Sequence, residues 1–223
     1  MSILRVLRDR RGAVATLAAL GIVLVINQHQ QQRDAAAVQA GRKAQARLEQ
    51  TAQKRITYPA EAQPRLALPD GCARPIRSLL NTPRPLTYGE YAWHDTGAAG
   101  TAWIRIDPDR QILSVFRGAD EIGTAVILYG APDKPTPRGT FRILAKAVDH
   151  YSRSDDAPMP FMLRLTADGV AIHASRVRVN GATHGCLGVP TSFAARLYQV
   201  AALGTPVYIM PAMPSASAKP ALL

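Results

Sequence analysis

The chain has 223 residues, 47% of them hydrophobic, with 17 prolines and 16 glycines, so it holds one domain of ordinary size plus extensions and many turns. Its net charge is +11 and unevenly placed, with ten Lys/Arg against three Asp/Glu in residues 1–56 and seventeen against thirteen in the rest. No basic stripe interleaved with aromatics follows in the folded part, which argues against a nucleic-acid binder; an anionic lipid or cell-wall surface suits the basic segment better.

Arg5, Arg8, Arg10 and Arg11 precede "AVATLAALGIVLVI", fourteen uncharged residues from Ala13 to Ile26. That run is short for a bilayer span, which takes about 17–25 residues. Extended over residues 12–32 it reaches a workable length with a polar end. A signal-peptide core also fits. However, "NQHQQQRD" follows, and the nearest small-residue cleavage pattern, Val38–Ala40, lies far downstream. The expectation is an uncleaved anchor over residues 12–32, with residues 1–11 in the cytoplasm and everything after Gln28 exported; secretion after cleavage is the alternative.

Residues 33–56, rich in Ala, Gln, Arg and Lys, read as a helical stalk with little apolar face. Residues 57–87 are broken by prolines and read as a linker that partly packs on the domain. From Tyr88 the texture changes. Short segments at 101–107, 111–118, 121–130, 139–148, 160–166 and 169–175 are rich in β-branched and aromatic residues and punctuated by Gly, Pro and Asp. Residues 107–110 and 117–121 look like hairpin turns. "TSFAARLYQVAAL" predicts a helix capped by Thr191 or Ser192, with Phe193, Leu197 and Val200 on one face and Gly204 at its end. "TPVYIM" predicts a last strand, and the tail 212–223 a disordered segment. The fold class is mainly β (α+β), a domain over residues 88–211 with one or two short helices.

"IHASRVRVNGATHGCLGVP", residues 172–190, gathers two of the five histidines and one of the two cysteines. Asn180-Gly181 between two extended runs signals a two-residue hairpin. In that register Ser175 faces Cys186, and His173 lies diagonally from Cys186 on the same face, within reach of long side chains. Arg176 and Arg178 turn to the other face. Besides Cys186 as a nucleophile with His173 as its base, three readings stay open on spacing alone. A metal site lacks a fourth ligand and any familiar spacing. Cys186 as a small buried apolar group is the plain alternative, and a Cys72–Cys186 disulfide is a further option.

The motifs decide among them. "THGCLGVP" resembles the [S/T]HGC signature of the L,D-transpeptidase catalytic domain, the YkuD-like family. "IHAS" resembles that family's upstream histidine segment, "WIRIDPDRQILSVFRG" its opening hairpin, and "KPTPRGTFRIL" its Thr-Pro-x-Gly-x-Phe turn and strand. "APMPFMLRLTADGVAIHAS" is similar to a proteobacterial, membrane-anchored subgroup. The resemblance covers about residues 100–210.

The resemblance implies a β-sandwich with Cys186 as nucleophile and His173 as its base, acting on peptidoglycan stem peptides. A backbone carbonyl near Ala174 or Ser175 would orient the ring, the Gly185 and Cys186 amides would hold an oxyanion, and Thr183 and His184 would support them. It implies no metal and no cofactor, a periplasmic site at the inner membrane, and covalent inhibition by carbapenems. Weaker substrate-contact candidates are Tyr129, His150, Tyr151, Met159, Phe161 and Met162; Trp93 and Trp103 are expected to pack. Two positions after the cysteine the family usually has Arg or Asn, and here it is Gly188; Arg138, Arg153, Arg164, Arg176 and Arg178 are candidates to replace that charge. An L,D-carboxypeptidase or other amide hydrolase, and a weakly active wall-binding module, are the alternatives.

Overall fold

The structure, a computed structural model, describes residues 3–95, 97–153 and 156–212, with side chains from Ile26 onward. The chain divides into two units, residues 1–46 and 47–223. Helix α1 runs Ile3–Ala52, so the first unit is wholly helical where it is described. Ile26 and Val38 are exposed there. Among the described residues no helix is long and apolar enough to cross a membrane. The side chains of most of the 12–32 segment, and all but the first residue of the 212–223 tail, lie outside the described residues.

The second unit begins with the last turns of α1, where Leu48 and Ala52 are buried and Glu49 pairs with Arg196 at 3.0 Å. Residues 57–87, expected as a linker, carry short strands: β1 (Ile56–Thr57), β2 (Arg65–Ala67), β3 (Ala73–Pro75) and β4 (Ser78–Leu79). Leu68, Ile76 and Leu80 along them are buried, and β4 pairs with a strand of the main sheet. This segment is therefore part of the fold.

Then come β5 (Tyr91–Trp93), β6 (Ala102–Asp107), β7 (Ile112–Arg117) and β8 (Asp120–Val126). Strands β6, β7 and β8 form an antiparallel meander through the two expected turns. The 139–148 run, expected as one strand, is two: β9 (Gly139–Arg142) and β10 (Ala145–Ala147). The chain changes sheets between them, because the Ile143 amide bonds the Thr205 carbonyl whereas the Leu144 amide bonds that of Arg164. The short pair β11 (Tyr151–Ser152) and β12 (Ala157–Pro158) precedes β13 (Met162–Arg164), β14 (Ala171–Ala174) and β15 (Leu187–Val189). Helix α2 (Thr191–Val200) and β16 (Pro206–Ile209) complete the chain.

Two principal sheets result, ordered β1-β4-β8-β7-β6-β16-β9 with β5 also on β8, and β10-β13-β14-β15. Their apolar residues meet in one core with α2, including Ile104, Val115, Ile172, Leu187 and Phe193. Phe193 stands edge-on to Tyr91 and Trp93, with ring centroids 5.8 and 5.3 Å away. Trp103 is also buried, stacked on Phe116 at 4.2 Å. The mainly β expectation is met.

The α2 cap differs from the expected one. Pro190 holds the cap position with no side-chain hydrogen bond; its ring fixes φ, at −55°, and its carbonyl accepts the Ala194 amide. The helix ends before Gly204, and the Lys146 ammonium donates to the carbonyls of Tyr198 and Ala201 at that end, where a cation favours the helix dipole.

Candidate active site

The predicted Asn180-Gly181 hairpin does not form. Strands β14 and β15 pair in parallel, with Ile172 opposite Leu187, His173 opposite Gly188 and Ala174 opposite Val189. Parallel neighbours cannot be joined by a two-residue turn. The chain between them instead turns at Asn180, which has φ 58°, and then bonds to the segment that follows β8. The Thr183 amide donates to the Tyr129 carbonyl at 3.0 Å, and the Ala131 amide to the Thr183 carbonyl at 2.9 Å. Gly188 and Leu128 exchange both backbone hydrogen bonds, at 3.0 and 2.8 Å, which ties the small sheet to the large one.

The parallel register still places His173 and Cys186 on one face. Ile172, Ala174, Leu187 and Val189 enter the main core, so the alternate residues turn the other way. On that side Cys186 packs beside Met159, Met162 and Ala171. It is partly exposed, and its Sγ lies 3.9 Å from the Gly169 carbonyl oxygen. Cys72 sits exposed in the β2–β3 turn, and no disulfide joins the two cysteines.

His173 Nδ1 lies 2.9 Å from the carbonyl oxygen of Ala174. A carbonyl only accepts, so Nδ1 carries the proton in this contact. In the neutral ring Nε2 is then the basic nitrogen. His173 and Cys186 line the same cavity of about 190 Å³, together with Met159, Ala182, Thr183 and His184. A larger cavity of about 1100 Å³ is also lined by Cys186, Met159 and His184, together with Lys134, His150, Tyr151, Arg153 and Asp168. Cys186 thus lines both spaces.

The turn that presents the thiol is held from two directions. Thr183 Oγ1 donates to the Cys186 carbonyl at 2.5 Å. Thr136 Oγ1, buried, donates to the Gly185 carbonyl at 3.0 Å and accepts the Gly130 amide at 2.9 Å. Gly185 has φ 108°, a conformation that side chains disfavour. Thr136 was not singled out as a site residue from the sequence. Its signal lay in "KPTPRG", where a lone hydroxyl between two prolines has few backbone groups of its own to serve.

Of the expected residues, the structure gathers Cys186, His173, Met159, Thr183 and His184 about the small cavity, and His150, Tyr151 and Gly185 about the large one. Ala174 supplies the carbonyl to the ring. Tyr129 and Phe161 line neither cavity. The Tyr129 side chain packs on the core, and Phe161 stands edge-on to Tyr198 at 5.9 Å. Met162 is buried beneath. Ser175 faces a third, separate cavity.

Gly188 is fully enclosed. A Cβ added there would stand 2.8 Å from Ser175 Cβ, 3.2 Å from Ser175 Oγ and 3.4 Å from Leu128 Cβ. Ser175 thus fills the volume a side chain at 188 would need. Among the replacement arginines, Arg138 is engaged by Asp109 and the Met210 carbonyl, whereas Arg153 lines the large cavity.

These features define a mainly β domain with an imidazole and a thiol opening on a shared cleft. Residues 101–209 match the family model of the L,D-transpeptidase catalytic domain, YkuD, and this segment of the chain is a member of that family. Solved structures with a similar fold include an L,D-transpeptidase from Stackebrandtia nassauensis (19% identity, 55% of this chain and 60% of that one, TM-score 0.47). Another is an L,D-transpeptidase from Mycobacterium tuberculosis (19% identity, 50% and 58%, TM-score 0.47). A third is L,D-transpeptidase 3 of the same organism in complex with a faropenem-derived adduct (20% identity, 50% and 60%, TM-score 0.45). The matched region spans about three fifths of the length of these structures. No curated protein sequence matches the chain.

Proposed function

We propose that the protein is a cysteine-dependent L,D-transpeptidase acting on peptidoglycan stem peptides. The observation that carries this reading is the Ala174 carbonyl on His173 Nδ1, which leaves Nε2 as the basic nitrogen of a ring that lines a cavity together with Cys186. A thiol with an ordinary pKa of about 8.5 is mostly protonated at neutral pH and needs an adjacent base. His173 takes the thiol proton, and the sulfur attacks the carbonyl that joins an L-centre to the terminal D-residue.

The Gly185 and Cys186 amides donate to the oxyanion; one such donor is worth roughly 3–4 kcal/mol. Thr136 holds the Gly185 carbonyl, and so fixes the peptide plane that presents the Cys186 amide, while Thr183 holds the Cys186 carbonyl in the next plane along. Collapse of the intermediate breaks the amide bond, and the imidazolium gives its proton to the departing D-amino acid. The remaining thioester passes its acyl group to the amine of a second stem, forming a 3→3 crosslink, with His173 removing the amine's proton. Water as acceptor gives a shortened stem instead. The residues need no metal or cofactor for these steps. The 12–32 segment anchors the chain in the inner membrane, with the catalytic domain in the periplasm and the basic stalk beside anionic headgroups or wall polymer.

A carbapenem, whose strained amide is an electrophile for an activated thiol, tests the reading. Intact-protein mass spectrometry is expected to show one adduct on the folded wild type and none on Cys186→Ala. Muropeptide analysis then separates the outcomes. New 3→3 dimers support the proposal, shortened stems indicate a hydrolase, and sacculus binding without either product indicates a wall-binding module. Absence of an adduct on folded protein overturns the thiol mechanism.

A further inference from the structure

Residues 175–182, between β14 and β15, carry a second polar feature. Val177 is buried against Val126 and Leu128, which turns its neighbours Arg176 and Arg178 outward together. The Gly181 amide closes this loop onto the Arg178 carbonyl at 3.1 Å, and Asn180 stands at its tip. Beside it lies a cavity of about 510 Å³ lined by Ser175, Arg176, Arg178, Asn180 and Ala182, with Leu128 at its floor. No acidic residue lines it.

Elsewhere on the catalytic unit, Arg77, Arg84, Arg117, Arg138 and Arg196 each engage a carboxylate. Among the described residues, the Arg176 and Arg178 guanidiniums have neither an ion pair nor a hydrogen-bonded partner. Ala182 lines both this cavity and the small one that holds His173 and Cys186. Ala182 is thus common to the lining of the thiol's cavity and to that of a neighbouring one edged by two unengaged guanidiniums, a hydroxyl and an amide.

We infer that this cavity is a carboxylate subsite, in which Arg176 and Arg178 hold an anionic group of the peptide bound at Cys186. Planar guanidiniums match a carboxylate with paired donors, and Ser175 and Asn180 supply further ones. The cationic lining draws in the acid form of a peptide and not its amide. This rests on the proposed peptide substrate, and it names how that substrate is oriented rather than how it reacts.

The test is a binding measurement on the full-length Cys186→Ala protein, which needs no turnover. A stem tetrapeptide is titrated calorimetrically as the free acid, as its C-terminal amide, and with only its side-chain carboxylates amidated. One amidation is expected to weaken binding roughly tenfold or more, the loss of about one charge-assisted contact. Which one it is identifies the carboxylate. That acid preference is expected to vanish in Arg176→Glu/Arg178→Glu and in the milder Arg176→Gln/Arg178→Gln. A charge-matched control, Lys43→Glu/Lys54→Glu, is expected to keep it. Equal affinity for all three peptides, or an acid preference that survives in folded arginine variants, overturns the subsite. The carbapenem adduct on wild-type protein is read separately, so loss of the thiol mechanism and loss of the subsite are distinguishable.

Discussion

The large sheet and the small one treat polar side chains in opposite ways. On the large sheet, Asp120 is buried with Arg77 and Ser78 bonded to its carboxylate, and Glu121 is buried with the Leu80 amide on its Oε2 at 3.0 Å. Arg55 crosses from the end of α1 to Ser78 and to the carbonyls of His94 and Glu121. These groups hold elements together. On the small sheet, the ring of His173 and the thiol of Cys186 border open space, with the ring's Nδ1 on the Ala174 carbonyl and the Thr183 hydroxyl on the Cys186 carbonyl. The contrast teaches where chemistry is possible. A polar group whose bonding capacity is spent inside the fold stabilises; one aimed into a cavity by a neighbour's backbone is left able to react.

The strongest way to break that contrast is to remove the base. His173→Ala is expected to slow carbapenem acylation of Cys186 by about 10²–10⁴-fold, the usual range for a positioned proton acceptor. The thermal midpoint should stay near that of the wild type. Raising the pH past the ordinary thiol value of about 8.5 should restore part of the rate, because hydroxide then makes the thiolate that His173 no longer makes. Acylation kinetics followed by mass spectrometry across pH 6–10 check both statements.

Thr136 sharpens the comparison, since it is a buried hydrogen-bonding group of the stabilising kind that serves the reactive turn. Thr136→Val keeps the shape and removes the hydroxyl, leaving the Gly130 amide and the Gly185 carbonyl without it. Each buried group so abandoned costs about 1–3 kcal/mol. For a domain of this size each kcal/mol lowers the midpoint by about 2–4 °C. Acylation should fall as well, because the Gly185 peptide plane loses its tether. Thr136→Ser, which keeps the hydroxyl, should recover most of both. Calorimetry and acylation rates on the pair provide the check.

Gly188→Ala probes the packing next to His173. The added methyl meets Ser175 Cβ at 2.8 Å, and such overpacking costs about 1–3 kcal/mol. Ser175→Gly in the same chain vacates that volume, so the double variant should be more stable than Gly188→Ala alone. Denaturant midpoints of the two single variants and the double measure the coupling.

How far the sequence reveals these features depends on the range of the interactions. The β6–β7–β8 meander is readable because each strand pairs with its neighbour in sequence across a turn rich in Gly, Pro and Asp. The pairing of β14 with β15 is not, because its geometry is set by Tyr129, Ala131 and Leu128, residues some fifty positions upstream. Local turn chemistry at Asn180-Gly181 suggests a hairpin and has no access to that competitor. The diagonal relation of His173 to Cys186 survives the error, since either pairing leaves the two on one face. Prolines hide the 57–87 segment in a similar way. Its strands are two or three residues long, too short for periodicity to register, yet Leu68, Ile76 and Leu80 bury it.

The smallest effect expected lies in the buried pair on the large sheet, where the two adjacent carboxylates titrate in opposite senses. Burial pushes Glu121 above its ordinary 4.5, with Ser114, the Leu80 amide, Arg55 and Arg105 pulling back only in part. Burial also pushes Asp120 upward, but the hydrogen bonds from Arg77 and Ser78 outweigh it and hold the group below 3.8. Between 4.5 and the raised value the folded state keeps the Glu121 proton that the unfolded chain has lost, so stability declines as pH rises through that window. For Asp120 the unfolded chain binds the extra proton, so its contribution is present above 3.8 and disappears as pH falls through the depressed value. Glu121→Gln is therefore expected to flatten the decline above pH 4.5 and to leave the acid limb below 3.8 in place. Asp120→Asn should do the reverse. Urea midpoints measured from pH 2.5 to 7.5 on the two variants resolve the limbs. A single limb lost in both variants would mean that Asp120 and Glu121 act as one coupled group rather than two.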